Sequence, residues 1–415
     1  MKLQAASNGS LTRRDRLFNW LDRRLPIRAV VDSQLTGYYA PKNLNIWYYF
    51  GALALLMLFI QLATGIFLAM FYKPGAATAF DSVEYIMREV NWGWLIRYTH
   101  STGASCFFIV VYLHMFRALL YGSYKAPREL LWIIGMLVYF ALMAEAFMGY
   151  VLPWGNMSFW GAQVIVNLFG TIPAAGPSLT EWLRGDYGIS DATLNRFFSL
   201  HVIAIPLGLL LLVVLHIVAL HNVGSNNPDG IEIKEKVNAR GKPLDGIPFH
   251  PYYTVKDVVS VGVFLVLFAV ILFFWPTFGG LFLEAANFET ANPMSTPEHI
   301  APVWYFTPYY AILRAVPDQR LGALLMFLAV ASFLFLPWLD RSAVRSIRYK
   351  GWLSRVALMI FAVSFIALGY LGLQPAEGIY VMLARLFTVA YFAFFWLMPF
   401  YSKLEPLRPE PERVS

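Results

Sequence analysis

The chain has 415 residues, of which 58% are hydrophobic and only 14% charged, and its formal net charge is +7. A soluble domain carries about 25% charged residues, so neither a water-soluble enzyme nor a nucleic-acid-binding module fits. The single cysteine, Cys106, rules out an intrachain disulfide, and with no C-x-x-C-H motif no haem can be attached through thioethers.

Residues 11–30 mix Arg and Leu at helical spacing, which predicts a membrane-surface helix within an N-terminal arm, 1–45. Eight apolar runs follow, each about as long as a bilayer core requires: 46–71, 99–121, 129–151, 197–221, 255–275, 321–339, 353–373 and 379–400. The first starts too far into the chain, behind a basic stretch, to be a cleavable signal peptide. The predicted fold is therefore an all-α integral membrane protein with eight transmembrane helices plus surface and loop helices. A four-helix bundle spans 46–222, a charged linker 223–254, a second four-helix module 255–400 and a tail 401–415. Loops 152–196 and 276–320 are long and rich in Trp, Pro and Phe, as packed, functional loops are. About three quarters of the 32 lysines and arginines fall on the side of both termini, which predicts cytoplasmic termini. The positive charge is thus a topology signal and not a nucleic-acid patch.

Four of the seven histidines, His100, His114, His201 and His216, lie inside spans, where ionisable residues mark function. His100 and His114 are 14 residues apart, about 40° short of four helical turns, so both rings face one way about 21 Å apart along the axis. His201 and His216 repeat this on the fourth span at a spacing of 15. The second and fourth spans run in the same direction. His100 therefore shares a depth with His201, and His114 with His216. Imidazole is a common axial ligand of haem iron, and two such pairs suit two stacked bis-histidine haems. The extra residue on the fourth span must be absorbed, so a kink, wide turn or π-bulge is predicted between His201 and Gly208, beside Pro206. Gly51 and Gly65 on the first span, and Gly135 and Gly149 on the third, repeat the interval of 14 and offer clearance for flat macrocycles. Arg97, Arg117 and Arg196, near the ends of the histidine-bearing helices, are placed to meet haem propionates.

With these pairs in place, the chain resembles the cytochrome b family of quinol–cytochrome c reductases (respiratory complex III). The runs GYVLPWGNMSFWGAQV at 149–164, LHNVGSNNPDG at 220–230, PFHPYYTVKD at 248–257 and PVWYFTPYYAILRAVP at 302–317 carry the likeness, which covers about 30–400. Both halves are fused, unlike the split chloroplast counterpart. The resemblance implies two b-type haems, with Gly103 among their contacts, and two quinone sites. An outer site oxidising ubiquinol would be walled by Phe147, Tyr150, Gly161, Pro302, Trp304 and Tyr305. An inner site reducing quinone would use His221, Ser225, Lys256 and Asp257. His250 and His299 are read as structural loop residues. The family also implies a Rieske-type iron–sulfur protein and a cytochrome c-type subunit as partners, a homodimeric complex, and a bacterial inner membrane.

One departure stands out. The family's outer motif reads Pro-Glu-Trp-Tyr, and its glutamate is assigned as a proton acceptor; here it reads Pro302-Val303-Trp304-Tyr305. Glu298, five residues earlier, and Glu145, one turn before Gly149, are the expected substitutes, with Glu298 preferred. Two rival functions remain: a di-haem membrane anchor of a dehydrogenase or reductase, and a histidine-relay transporter.

Overall fold

The structure, a computed structural model, describes residues 12–31, 37–297 and 300–415. Glu298 and His299 lie outside the described residues. Thr12 and Asp15 form a reciprocal capping box that starts a helix at Arg13–Asp22, and this helix buries none of its residues. Its Leu17, Phe18 and Trp20 are exposed, and Arg24 lies 4.2 Å over the Trp20 ring.

Among the described residues, eight helices are long and apolar enough to cross a membrane: Ile46–Ala69, Gly93–Tyr121, Glu129–Val151, Asp191–Val223, Tyr252–Phe274, Gln319–Leu339, Trp352–Gly372 and Gly378–Trp396. They coincide with the eight predicted spans. The fourth is composite. An α-helix over Asp191–Ser199 passes into a π-helical stretch, Leu200–Ala204, and α-geometry resumes at Ile205–Val223. The Ile205 N–H reaches back five residues to the Leu200 carbonyl. That wide turn takes up the one residue by which His201–His216 exceeds His100–His114, as the spacing predicted.

The first span packs along the second, and the third along the fourth. The seventh and eighth spans pack on each other and on a short helix, Thr307–Ala315. The two halves are not separate bodies. One apolar core runs through both, and a chain of hydroxyls crosses it: Tyr112 to Tyr139 at 3.3 Å, and Tyr139 to Tyr309 at 3.0 Å.

The two faces of the bundle are built differently. On the far face the two long loops close on each other. Asn156 N–H donates to the Glu289 carbonyl at 2.9 Å, and Ser158 N–H to Asn287 Oδ1 at 2.9 Å. A Cβ on Gly155 would fall 2.3 Å from Asn287 Oδ1, so only glycine allows this approach.

On the face carrying the termini, the predicted linker and tail are locked down rather than free. Arg128, 1% exposed, grips both Glu232 carboxylate oxygens at 2.9 and 2.7 Å. Asp229 accepts from Asn43, Arg348, Tyr349 and the Ser415 hydroxyl. Asp245 accepts from Arg413 near the C-terminus and pairs with Lys42. Strand Tyr39–Pro41 pairs antiparallel with Gly246–Pro248 beside them. His250 keeps a loop role, its Nδ1 3.3 Å from Thr254 Oγ1.

Candidate haem and quinone sites

The helices bring the four intramembrane histidines together in the predicted pairs. His100 and His201 have ring centroids 6.1 Å apart, and His114 and His216 are 6.4 Å apart. A metal held between two imidazoles at about 2 Å from each nitrogen needs centroids about 6 Å apart. Each ring also rests against one glycine. A Cβ on Gly65 would lie 3.3 Å from His100 Cε1, and one on Gly51 3.3 Å from His114 Cε1. The third span is tighter: 3.0 Å between a Gly135 Cβ and His216 Cε1, and 2.4 Å between a Gly149 Cβ and His201 Cε1. The predicted clearance is real, but the imidazoles themselves occupy it.

The surroundings fit a haem. A cavity lined by Gly65, Arg97, His100, Gly149 and His201 continues to Tyr150, Val303 and Tyr305. Arg117, beside the other pair, keeps its buried Nε without a hydrogen-bond partner, where a propionate would satisfy it. Two of the expected contact residues lie apart from this cavity. Gly103 faces the first span, where a Cβ would meet Gln61 Nε2 at 2.4 Å, so its smallness serves helix packing. Arg196 is exposed and donates to the Trp182 carbonyl, and it does not line the cavity.

At the far face, Tyr305 stacks on Phe108 at 3.9 Å and forms a flat apolar wall. Trp304 Nε1 donates to Ser105 Oγ at 3.0 Å, tying the motif to the second span. Gly161 lies against the Tyr150 ring, 3.7 Å from an added Cβ. Phe147 instead packs on Phe197 in the outer apolar cluster and is not part of the cavity wall. The Tyr150 hydroxyl donates to Glu284 Oε2 at 2.9 Å. Burial pushes the Glu284 carboxyl up to about 7. This acid was missed in the sequence. Its only local mark is a carboxylate directly after Phe282-Leu283, and its partner lies 134 residues away. Of the two expected substitutes, Glu298 is outside the described residues. Glu145 lines the cavity, with its Oε1 3.0 Å from His201 Nδ1.

At the opposite face, His221 stacks on Tyr38 at 4.5 Å, and the Tyr38 hydroxyl lies 2.9 Å from Ser225 Oγ. Tyr38 was also missed. Lys256 Nζ donates to the Tyr252 hydroxyl at 2.8 Å. Asp257 is the next residue on that helix, and an apolar cluster of Tyr38, Phe249 and Tyr253 links the two halves of the site.

A family model described as Cytochrome b/b6/petB matches residues 35–224, and one described as Cytochrome b(C-terminal)/b6/petD matches 290–392. Cytochrome b of Allochromatium vinosum is 61% identical over 405 residues, covering 96% of this chain and 98% of that protein. The chain belongs to the cytochrome b/b6 family. Cytochrome b of Rickettsia bellii is 50% identical, covering 96% of both chains. Among solved structures, a chain of a hyperthermophilic respiratory complex III matches with a TM-score of 0.86 and 40% identity, covering 93% of this chain and 99% of that one. Against the family's pattern, Val303 is buried at 3% exposure and lines the cavity where the family's glutamate would stand; the carboxylate lining that cavity is Glu145, while Glu284 directly follows its wall residues Phe282 and Leu283.

Proposed function

We propose that this chain is the di-haem subunit of a quinol–cytochrome c oxidoreductase, oxidising quinol at the far face and reducing quinone at the face of the termini. The observation that carries the reading is the pair of facing histidine couples on the second and fourth spans, each ring backed by its own glycine. His100 with His201, and His114 with His216, would hold the two b-type haems, which supply one-electron carriage between the faces.

The chain's own residues handle binding and protons. Phe108, Tyr305 and Val303 wall the outer quinol pocket with apolar surface and exclude water from it. Glu284 accepts the quinol proton through Tyr150, a residue of the cavity wall whose hydroxyl donates to its Oε2. At the other face, His221, held flat by Tyr38 and set beside Ser225, faces the incoming quinone and, with Lys256 and Asp257, supplies its protons.

The described residues hold no ligand set for an iron–sulfur cluster, and the chain's one cysteine is buried. The electron acceptors therefore belong to partners, a Rieske-type protein and a cytochrome c-type subunit, in a homodimeric complex. The excess of Lys and Arg on the side of the termini supports cytoplasmic termini, and the bacterial relatives support a bacterial inner membrane.

The test is a reduced-minus-oxidised spectrum of the purified complex with a redox titration and quinol-dependent cytochrome c reduction. Two b-type components and quinol-dependent turnover are expected. Two components without quinol-dependent cytochrome c reduction would favour a di-haem membrane anchor, and no b-type component a histidine-relay transporter.

A further inference from the structure

We infer that Tyr112 and Ser105 are positioning residues for quinol oxidation: from the second span they hold the Trp304-Tyr305 turn, and with it the wall of the outer pocket. This rests on the reading of that pocket as the quinol site. The turn is a 3-10 segment of three residues, Trp304–Phe306, and no side chain caps its start. So short a segment takes its place from the neighbours it packs on. Those neighbours lie on one face of the second span, since Ser105, Phe108 and Tyr112 follow at i, i+3 and i+7. Trp304 Nε1 donates to Ser105 Oγ at 3.0 Å, the Phe108 ring stacks on Tyr305 at 3.9 Å, and the Tyr112 hydroxyl donates to the Tyr305 carbonyl at 2.5 Å. Tyr305 is thus held at its ring and at its backbone, and Trp304 at its indole.

The order of the hydrogen bonds separates Tyr112 from the two tyrosines behind it. A carbonyl only accepts, so the Tyr112 proton is committed to Tyr305. Tyr139, 3.3 Å away, must then donate to Tyr112, and Tyr309, 3.0 Å from Tyr139, must donate to Tyr139. The string of hydroxyls therefore runs one way, from Tyr309 through Tyr139 and Tyr112 to the carbonyl. Removing the Tyr139 hydroxyl breaks the string but leaves the bond from Tyr112 to Tyr305 in place. Removing the Tyr112 hydroxyl releases the turn. Each change takes two hydrogen bonds out of the core, so the pair is matched in bonds lost and differs in its effect on the pocket.

The experiment compares Tyr112→Phe, Ser105→Ala and Tyr139→Phe with wild type in the purified complex. Quinol-dependent cytochrome c reduction is followed with a short-chain ubiquinol, and haem content and melting temperature are measured for each preparation. Tyr112→Phe is expected to raise KM about fivefold, the net worth of one hydrogen bond, with kcat close to wild type. The wall touches quinol alike in the ground and transition states, so its displacement appears in KM. Ser105→Ala should move KM the same way. Tyr139→Phe should lower the melting temperature as much as Tyr112→Phe and leave KM near the wild-type value. An unchanged KM in Tyr112→Phe with normal haem content overturns the inference. So does an equal rise in Tyr139→Phe, which would tie KM to core stability. If Tyr112→Phe fails to keep its haem, Ser105→Ala decides, and an unchanged KM there overturns the inference. A wild-type complex without quinol-dependent turnover would instead overturn the reading of the pocket as a quinol site.

Discussion

Replacing Glu284 by Gln isolates the proton step of quinol oxidation. Gln keeps an oxygen to accept the Tyr150 hydroxyl at the 2.9 Å contact, so the pocket wall stays in place and only proton-accepting capacity is lost. A positioned general base contributes about 10²- to 10⁴-fold to a rate. Ordered water can substitute in part, so the low end applies: a fall in kcat of about 100-fold, or about 2.7 kcal/mol of barrier. The pH profile gives the sharper readout. Burial pushes the Glu284 carboxyl up to about 7, so it is mostly protonated, and unable to accept, below that pH. Wild-type turnover should therefore rise from about pH 6, reach half its maximum near pH 7 and level off above about pH 8. The variant should lose this limb and run at a low rate with little pH dependence. The assay is steady-state quinol-dependent cytochrome c reduction by the intact complex, with haem content checked in each preparation. A Glu284→Gln complex with normal turnover and the wild-type limb would refute the assignment, and a Glu298→Gln complex that lost the limb would relocate it.

Other expectations follow from single contacts. Gly149→Ala puts a Cβ 2.4 Å from His201 Cε1, so the outer haem should be lost while the inner haem remains in the spectrum; Gly51→Ala, at 3.3 Å, should disturb the inner haem far less. Deleting Val202 should turn the π-helical stretch into regular α-helix and shorten His201–His216 to the 14-residue interval of His100–His114, so both b-type components should remain in the spectrum, and loss of the outer one would show that the wide turn does more than absorb the extra residue. Arg128→Leu strands Glu232 without its bidentate partner, at a cost of about 3–5 kcal/mol; the purified complex should melt at a clearly lower temperature, and an unchanged melting profile would show that the pair contributes little.

What could be read from the sequence was what repeats along one helix. The eight spans follow from hydropathy, and the histidine pairing follows from matched intervals on helices running the same way. The π-helical stretch follows from the one-residue excess on the fourth span, a mismatch regular helix cannot hide. The glycines showed that something approaches closely but not what approaches, because the imidazoles come from other helices. Contacts distant in the chain were not legible. Glu284 meets Tyr150 across 134 residues, and Tyr38 meets Ser225 across 187. Neither Glu284 nor Tyr38 lies in a periodic segment that would give it a face. A charge count gives the side of the membrane but cannot distinguish a solvated lysine from one such as Lys350, buried against Asp340.

That last distinction separates structural acids from working ones in this chain. Asp340 and Glu284 both lie in loops outside the spans, and burial pushes both carboxyls up. At Asp340, Lys350 and Lys125 outweigh burial and hold the group below its ordinary range, so it stays ionised and ties together the segments around it. At Glu284 no cation answers burial; a neutral hydroxyl does, and the group titrates near neutrality. The positive-inside excess thus has a second consequence. The cations that set topology also supply counter-charges to buried acids at the face of the termini, where Asp229, Asp245 and Asp340 are all held below the ordinary carboxylate range. The far face is poor in lysine and arginine, so an acid buried there stays without a cation and keeps a proton to exchange. In this family the acceptor is expected beside the Trp-Tyr motif. When valine takes that position, the acid that can inherit the role must reach the same cavity and be free of cations; Glu284 reaches it through the hydroxyl of Tyr150, a residue of the cavity wall, and among the described residues no cation pairs with it.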